Sequence, residues 1–115
     1  MPIGLFGAST GAAAALMAAA EHGEAIGAVV SRGGRPDLAL AALNRVTAPT
    51  LLIVGGQDTP VIDMNRTALA ALRCEKRLDI VAGANHLFEE QGALNRVVEL
   101  ATAWFSQHSG RREGP

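Results

Sequence analysis

The sequence predicts an α/β fold: a parallel β-sheet of about four strands with helices on both faces. Three observations carry this. Short apolar runs recur without alternation, as strands buried on both faces require. Each run is followed by a stretch of helical composition or periodicity, so strand and helix alternate along the whole chain. The glycine-rich and polar residues gather in the loops that leave the carboxyl ends of those runs, where open α/β sheets bind ligands.

Residues 3–6 form the first strand candidate, and Thr10–His22 is a helix made of strong helix formers, alanine above all. His22-Gly23 ends it, a cation-capable residue followed by a C-cap glycine. Residues 25–30 are a second buried strand, opening into the polar loop Ser31-Arg32-Gly33-Gly34-Arg35. Pro36-Asp37 starts a helix reaching about residue 44, with proline in the first turn where its missing N–H does no harm. Residues 50–54 are the third strand, broken by Gly55-Gly56-Gln57-Asp58. A helix over about 62–73 follows, with Asp63 near its start and Arg73 near its end, the charge order that the helix dipole favours. Residues 77–81 are the fourth strand, and 82–87 a loop. The last helix, about 89–107, has Leu94, Val97, Val98, Ala101, Trp104 and Phe105 as its expected buried stripe. Residues 1–107 are thus expected as one domain and 108–115 as a flexible tail, with His108 solvated.

A chain of 115 residues has room for one core. With 49% apolar and 18% charged residues the composition is globular, and a net charge of −1 gives no field to attract nucleic acid or an anionic membrane. Cys74 is the single cysteine, so no internal disulfide forms, and its place at a helix end reads as an ordinary thiol. The histidines His22, His86 and His108 show no metal-ligand spacing. Residues 3–20 are uncharged, and Ala18-Ala19-Ala20 resembles a signal-peptidase site. However, no Lys or Arg precedes the run, and small residues fill it in place of Leu, Ile or Val. A cytoplasmic location is expected.

The chemistry centres on Gly7-Ala8-Ser9-Thr10-Gly11 between the first strand and its helix. This is the G-x-S-x-G pattern of a tight turn that holds a serine exposed at the top of a sheet. Gly7 and Gly11 are expected where a Cβ would collide with neighbouring chain. Ser9 would stand at a helix N-terminus, which favours developing negative charge. A serine hydroxyl needs a base, and the base needs an orienting carboxylate. Asp58 after the third strand and His86 after the fourth complete the chain order Ser, Asp, His. Asp58 in a turn or cap, and His86 satisfied by backbone, are the plain alternatives; Asp63 competes for the acid role but lies inside a helix. Arg32 and Arg35 are candidate pocket residues for an anionic substrate group, with a solvated loop as the alternative.

On Gly7-Ala8-Ser9-Thr10-Gly11, Gly55-Gly56-Gln57-Asp58 and Ala84-Asn85-His86-Leu87-Phe88, the chain resembles the C-terminal half of an α/β-hydrolase, nearest to the dienelactone hydrolase family. The run from Val30 to Asp37 also resembles family members found beside or fused to phosphoribosyltransferase domains. The resemblance implies a partial α/β-hydrolase fold and hydrolysis of a small ester or lactone without a cofactor. Ser9 would be nucleophile, His86 base, Asp58 the orienting acid and the Thr10 N–H an oxyanion donor. Family members are longer, with strands ahead of the serine strand and a loop supplying a second oxyanion donor. Their absence would leave residues 3–6 as an open apolar edge, and a homodimer across that edge is expected. Two other readings stay open: a truncated, catalytically weak or inactive module acting in subunit association, and a phosphate-binding module. The latter lacks the Lys-Ser/Thr that a P-loop places after its last glycine.

Overall fold

The protein is described from a computed structural model covering residues 3–85, 88 and 92–109. β1 (Ile3–Ala8) leads into α1 (Thr10–His22), and a 3₁₀ turn (Gly23–Ala25) leads into β2 (Ile26–Arg32). A 3₁₀ segment (Pro36–Arg45) precedes β3 (Thr50–Gly55), α2 (Thr59–Ala71) precedes β4 (Lys76–Val81), and α3 (Ala93–Ser109) follows. The four strands form one sheet in the order β1-β2-β3-β4, and every pairing is parallel.

Because the order never reverses, right-handed crossovers must place every connecting helix on the same face. The packing agrees. α1, the 3₁₀ segment and the end of α2 bury Leu16, Leu43 and Leu72 against Val29 and Leu52. On the other face α3 buries Val97, Ala101 and Trp104 against Ala28, Val30, Leu51 and Ile53. Successive residues of β2 and β3 therefore feed opposite cores, which is why both read as unbroken apolar runs. Burying a side chain of this kind is worth about 1.5–3 kcal/mol.

Gly23 ends α1 as expected: its φ is 52°, and its N–H donates to Ala19 O. Other expectations needed correction. β2 runs on through Ser31 and Arg32, because Phe6–Ala8 of β1 keep pairing with Val30–Arg32. Residues 36–45 wind as a 3₁₀ segment and not as an α-helix. Pro36, Ala39, Ala42 and Leu43 are buried there, and a kink at Ala39, whose φ/ψ are not helical, divides the segment in two. α2 starts earlier than expected, with Thr59 and Pro60 in its first turn, so Asp63 lies well inside it and Arg73 lies beyond its end.

α3 also differs from its expected stripe. Val97, Ala101 and Trp104 are buried, but Leu94 and Val98 are 54% and 56% exposed. They line a groove of about 410 Å³ with Phe6, Arg32 and Phe105, beside the edge strand β1, so the apolar face of α3 is wider than the sheet beneath it. His108, expected in solvent, is 1% exposed. Its ring lies 4.3 Å from that of Trp104, and its Nε2 is 3.5 Å from Glu75 Oε2. α3 extends through it to Ser109; residues 89–91, where this helix was expected to begin, and 110–115 of the expected tail lie outside the described residues. Among the described residues, no helix is long and apolar enough to cross a membrane.

Candidate active site

Ser9 occupies the junction of β1 and α1 with φ 51° and ψ −125°. Positive φ is costly for a residue with a Cβ, so such a conformation persists only where neighbours over-determine it. Here they do. The Ser9 N–H donates to Arg32 O at 3.3 Å, while the Ser9 carbonyl accepts from Ala12 N–H at 3.2 Å and from Arg35 N–H at 3.1 Å. Gly7 makes the turn sterically feasible, since a Cβ there would lie 2.7 Å from Ala12 Cα. Gly11 has no such duty: a Cβ on it meets nothing within 4 Å among the described residues, contrary to expectation. Thr10 is the first residue of α1, where a backbone N–H has no partner within the helix.

Asp58 lies at the corresponding junction of β3 and α2. Its carbonyl accepts from Val61 N–H at 3.1 Å and Ile62 N–H at 3.0 Å, but its carboxylate makes no capping bond to its own helix. The helix-cap role therefore does not account for an aspartate here. The loop after β3 is bound to the loop after β4: Gly56 N–H donates to Val81 O at 2.8 Å, and Gln57 N–H to Ala84 O at 2.9 Å. A Cβ on Gly55 would strike the carbonyl oxygens of Ala84 and Asn85, so this contact requires glycine. His86 itself lies outside the described residues. Ser9 and Asp58 thus both stand at carboxyl ends of parallel strands, and the segment leading to residue 86 is tied to the Asp58 loop.

Arg32 places its guanidinium 5.6 Å from the ring centroid of Phe88, within cation–π range, and lines the groove beside β1. Arg35 is engaged within its own loop: Nε and Nη2 donate to the two oxygens of Asp37 at 3.1 and 2.9 Å. The guanidinium beside it holds the Asp37 carboxyl below its usual range. The Arg35 guanidinium is thus already forked onto a carboxylate. Among the described residues no cluster of His, Cys, Asp or Glu is placed to hold a metal ion.

One buried polar residue near the site belongs to no motif. Asn65 is fully buried on α2, and its Nδ2 donates to Val61 O at 2.8 Å and Gly34 O at 3.1 Å. The available signal was its spacing: Asn65 falls three residues from both Ile62 and Ala68, inside the buried stripe of α2.

A sequence model of the dienelactone hydrolase family matches residues 1–109. The chain belongs to the dienelactone hydrolase family. The crystal structure of a dienelactone hydrolase from Anabaena variabilis superposes with a TM-score of 0.92 at 61% identity, covering 94% of this chain and 50% of that one. A monoacylglycerol lipase of Paleococcus ferrophilus shares the fold, with a TM-score of 0.76 at 16% identity, covering 91% of this chain and 68% of that one. Two Mycobacterium tuberculosis proteins, from strains CDC 1551 and H37Rv, are each 56% identical over 108 residues, 94% of this chain and 24% of theirs. Both carry the name "Putative phosphoribosyl transferase". This dienelactone hydrolase family chain therefore spans half the length of the Anabaena enzyme and about a quarter of the mycobacterial proteins.

Proposed function

We propose that this chain carries the serine-centred machinery of a hydrolase acting on a small ester or lactone. The observation that carries the reading is the backbone of Ser9, held at positive φ between a strand and a helix N-terminus by bonds to the end of β2 and to the loop that follows it. Family membership supports hydrolysis as the reaction class. In the proposed reaction the Ser9 hydroxyl oxygen attacks the substrate carbonyl while His86 takes its proton. The carbonyl π electrons move to oxygen, and the Thr10 N–H stabilises that oxyanion. Collapse expels the alkoxide, which receives the proton from His86. Water then repeats the sequence on the acyl-enzyme, freeing the acid and Ser9. Asp58 holds the imidazole in the tautomer this needs.

Ester turnover by the purified chain, compared with that of Ser9→Ala, tests the assignment. Turnover should fall at least about a thousandfold in the variant with circular dichroism unchanged; equal turnover by the two would refute it. A second reading, a module that associates with another chain without turnover, is favoured by one observation. β1 is an edge strand whose Ile3 and Phe6 are 56% and 50% exposed. The names of the mycobacterial relatives suggest that a phosphoribosyl transferase is the setting of such a module.

A further inference from the structure

We propose that Asn65 is a positioning residue that aims the oxyanion donor, acting through two peptide groups; the inference rests on the serine-hydrolase reading above. The Asn65 amide is fixed in orientation because its Nδ2 hydrogens are divided between Val61 O of its own helix and Gly34 O of the loop after β2. Gly34 O and Arg35 N–H belong to one planar peptide group, so holding the oxygen sets the direction of the N–H. That N–H donates to Ser9 O at 3.1 Å. Ser9 O and Thr10 N–H are in turn the two ends of the next peptide group, and a trans peptide points them in opposite directions. A grip on Ser9 O therefore sets where the Thr10 N–H points, and hydrogen bonds in such a row polarise one another.

The first turn of α2 also ties Asn65 to the other proposed catalytic segment. Val61, whose carbonyl orients Asn65, donates its N–H to Asp58 O. The Asp58 turn, α2, the 33–35 loop and the serine turn are thereby joined by consecutive hydrogen bonds. The amide is satisfied at one end only. Its Oδ1 is buried without a hydrogen-bond partner among the described residues, as is the Oγ of Ser31, which crowds Gly34. In a stripe with Ile62, Ala68 and Leu72 the unmatched Oδ1 is a cost to folding, and what the amide secures in return is its hold on the buried Gly34 carbonyl. The Gly33 N–H bond to Ile53 O at 2.7 Å anchors the loop independently, so loss of the Asn65 bond should loosen the 34–35 peptide and leave the loop in place.

The test compares Asn65→Leu and the isosteric Asn65→Asp with Leu72→Ala, a core truncation at the end of α2. Labelling of Ser9 by a fluorophosphonate is resolved into its saturation constant and its maximal rate, and amide hydrogen exchange is read at Arg35. The Asn65 variants should lose at least about tenfold in maximal rate with the saturation constant unchanged, and exchange at Arg35 should quicken selectively. Leu72→Ala should lower the melting temperature and leave the maximal rate alone. Wild-type rates in the folded Asn65 variants would overturn the proposal, as would equal losses in Leu72→Ala. Absence of label on the wild-type chain would instead reject the hydrolase reading. Arg35 exchange then decides alone: selective quickening upholds the relay onto the Ser9–Thr10 peptide, and unchanged exchange overturns it.

Discussion

Ser9 and Cys74 are small nucleophile-bearing side chains in different surroundings. Ser9 is half-buried at a helix N-terminus, in a backbone conformation that costs about 1–3 kcal/mol and is held by its neighbours. Cys74 is set beside Thr50, its Sγ 3.7 Å from Thr50 Oγ1, and burial pushes its thiol pKa up. A raised pKa leaves little thiolate near neutral pH, and the thiolate is the reactive form. Cys74 is accordingly expected to react slowly with a thiol reagent in the native protein and at the ordinary rate after unfolding. Equal rates in the two states would show that the burial is not maintained in solution. Asp37 behaves in the opposite sense. Its folded pKa is lowered by Arg35, so the pair contributes above the usual carboxylate range and loses its contribution as pH falls through the lowered value. Solvent screening keeps that contribution small.

The β1–α1 unit shows how closely an element's geometry can depend on single glycines. Gly7 is buried against the first turn of α1, whereas Gly11 is exposed within the helix, and a Cβ there would meet nothing among the described residues. The two glycines of the motif should therefore respond oppositely to the same substitution. Gly7→Ala should destabilise the chain by about 1–3 kcal/mol through overpacking, and Gly11→Ala should stabilise it by about 0.5–1 kcal/mol as an ordinary helix substitution. Thermal unfolding of both variants checks this, and a destabilised Gly11→Ala would mean that the helix start is more crowded than described. The elements themselves were legible because their patterns are local: unbroken apolar runs for β2 and β3, alanines for α1, Gly23 for its end. The 3₁₀ winding of residues 36–45 was not, and neither was the depth of His108, which depends in part on a segment distant in sequence. His108 is covered by Trp104 of its own helix and by Glu75, which enters from the segment ahead of β4.

At the scale of the whole sheet, β1 has one side unpaired among the described residues, beside an apolar groove that includes Phe6, Leu94 and Val98. An apolar edge with unpaired backbone groups is a template for another strand. We propose that a second copy of the chain pairs there, extending the sheet and covering the groove. Light scattering on the purified chain should then give a dimer mass, and Phe6→Glu should shift it towards monomer. A well-folded monomer at all concentrations would dispose of the idea.

The sequence by itself determined the parallel α/β architecture, the family, and the candidate residues Ser9, Asp58 and His86. Each of these follows from short-range pattern or from order along the chain. Only the tertiary structure decided which glycine of the serine motif is sterically required, where Arg35 spends its charge, and that Leu94 and Val98 overhang the sheet. It alone also revealed Asn65. That residue acts on Gly34, far off in sequence, through a bond that exists only once α2 has packed beside the loop after β2. No periodicity or motif encodes such a contact, because the distance that matters is measured through space and not along the chain.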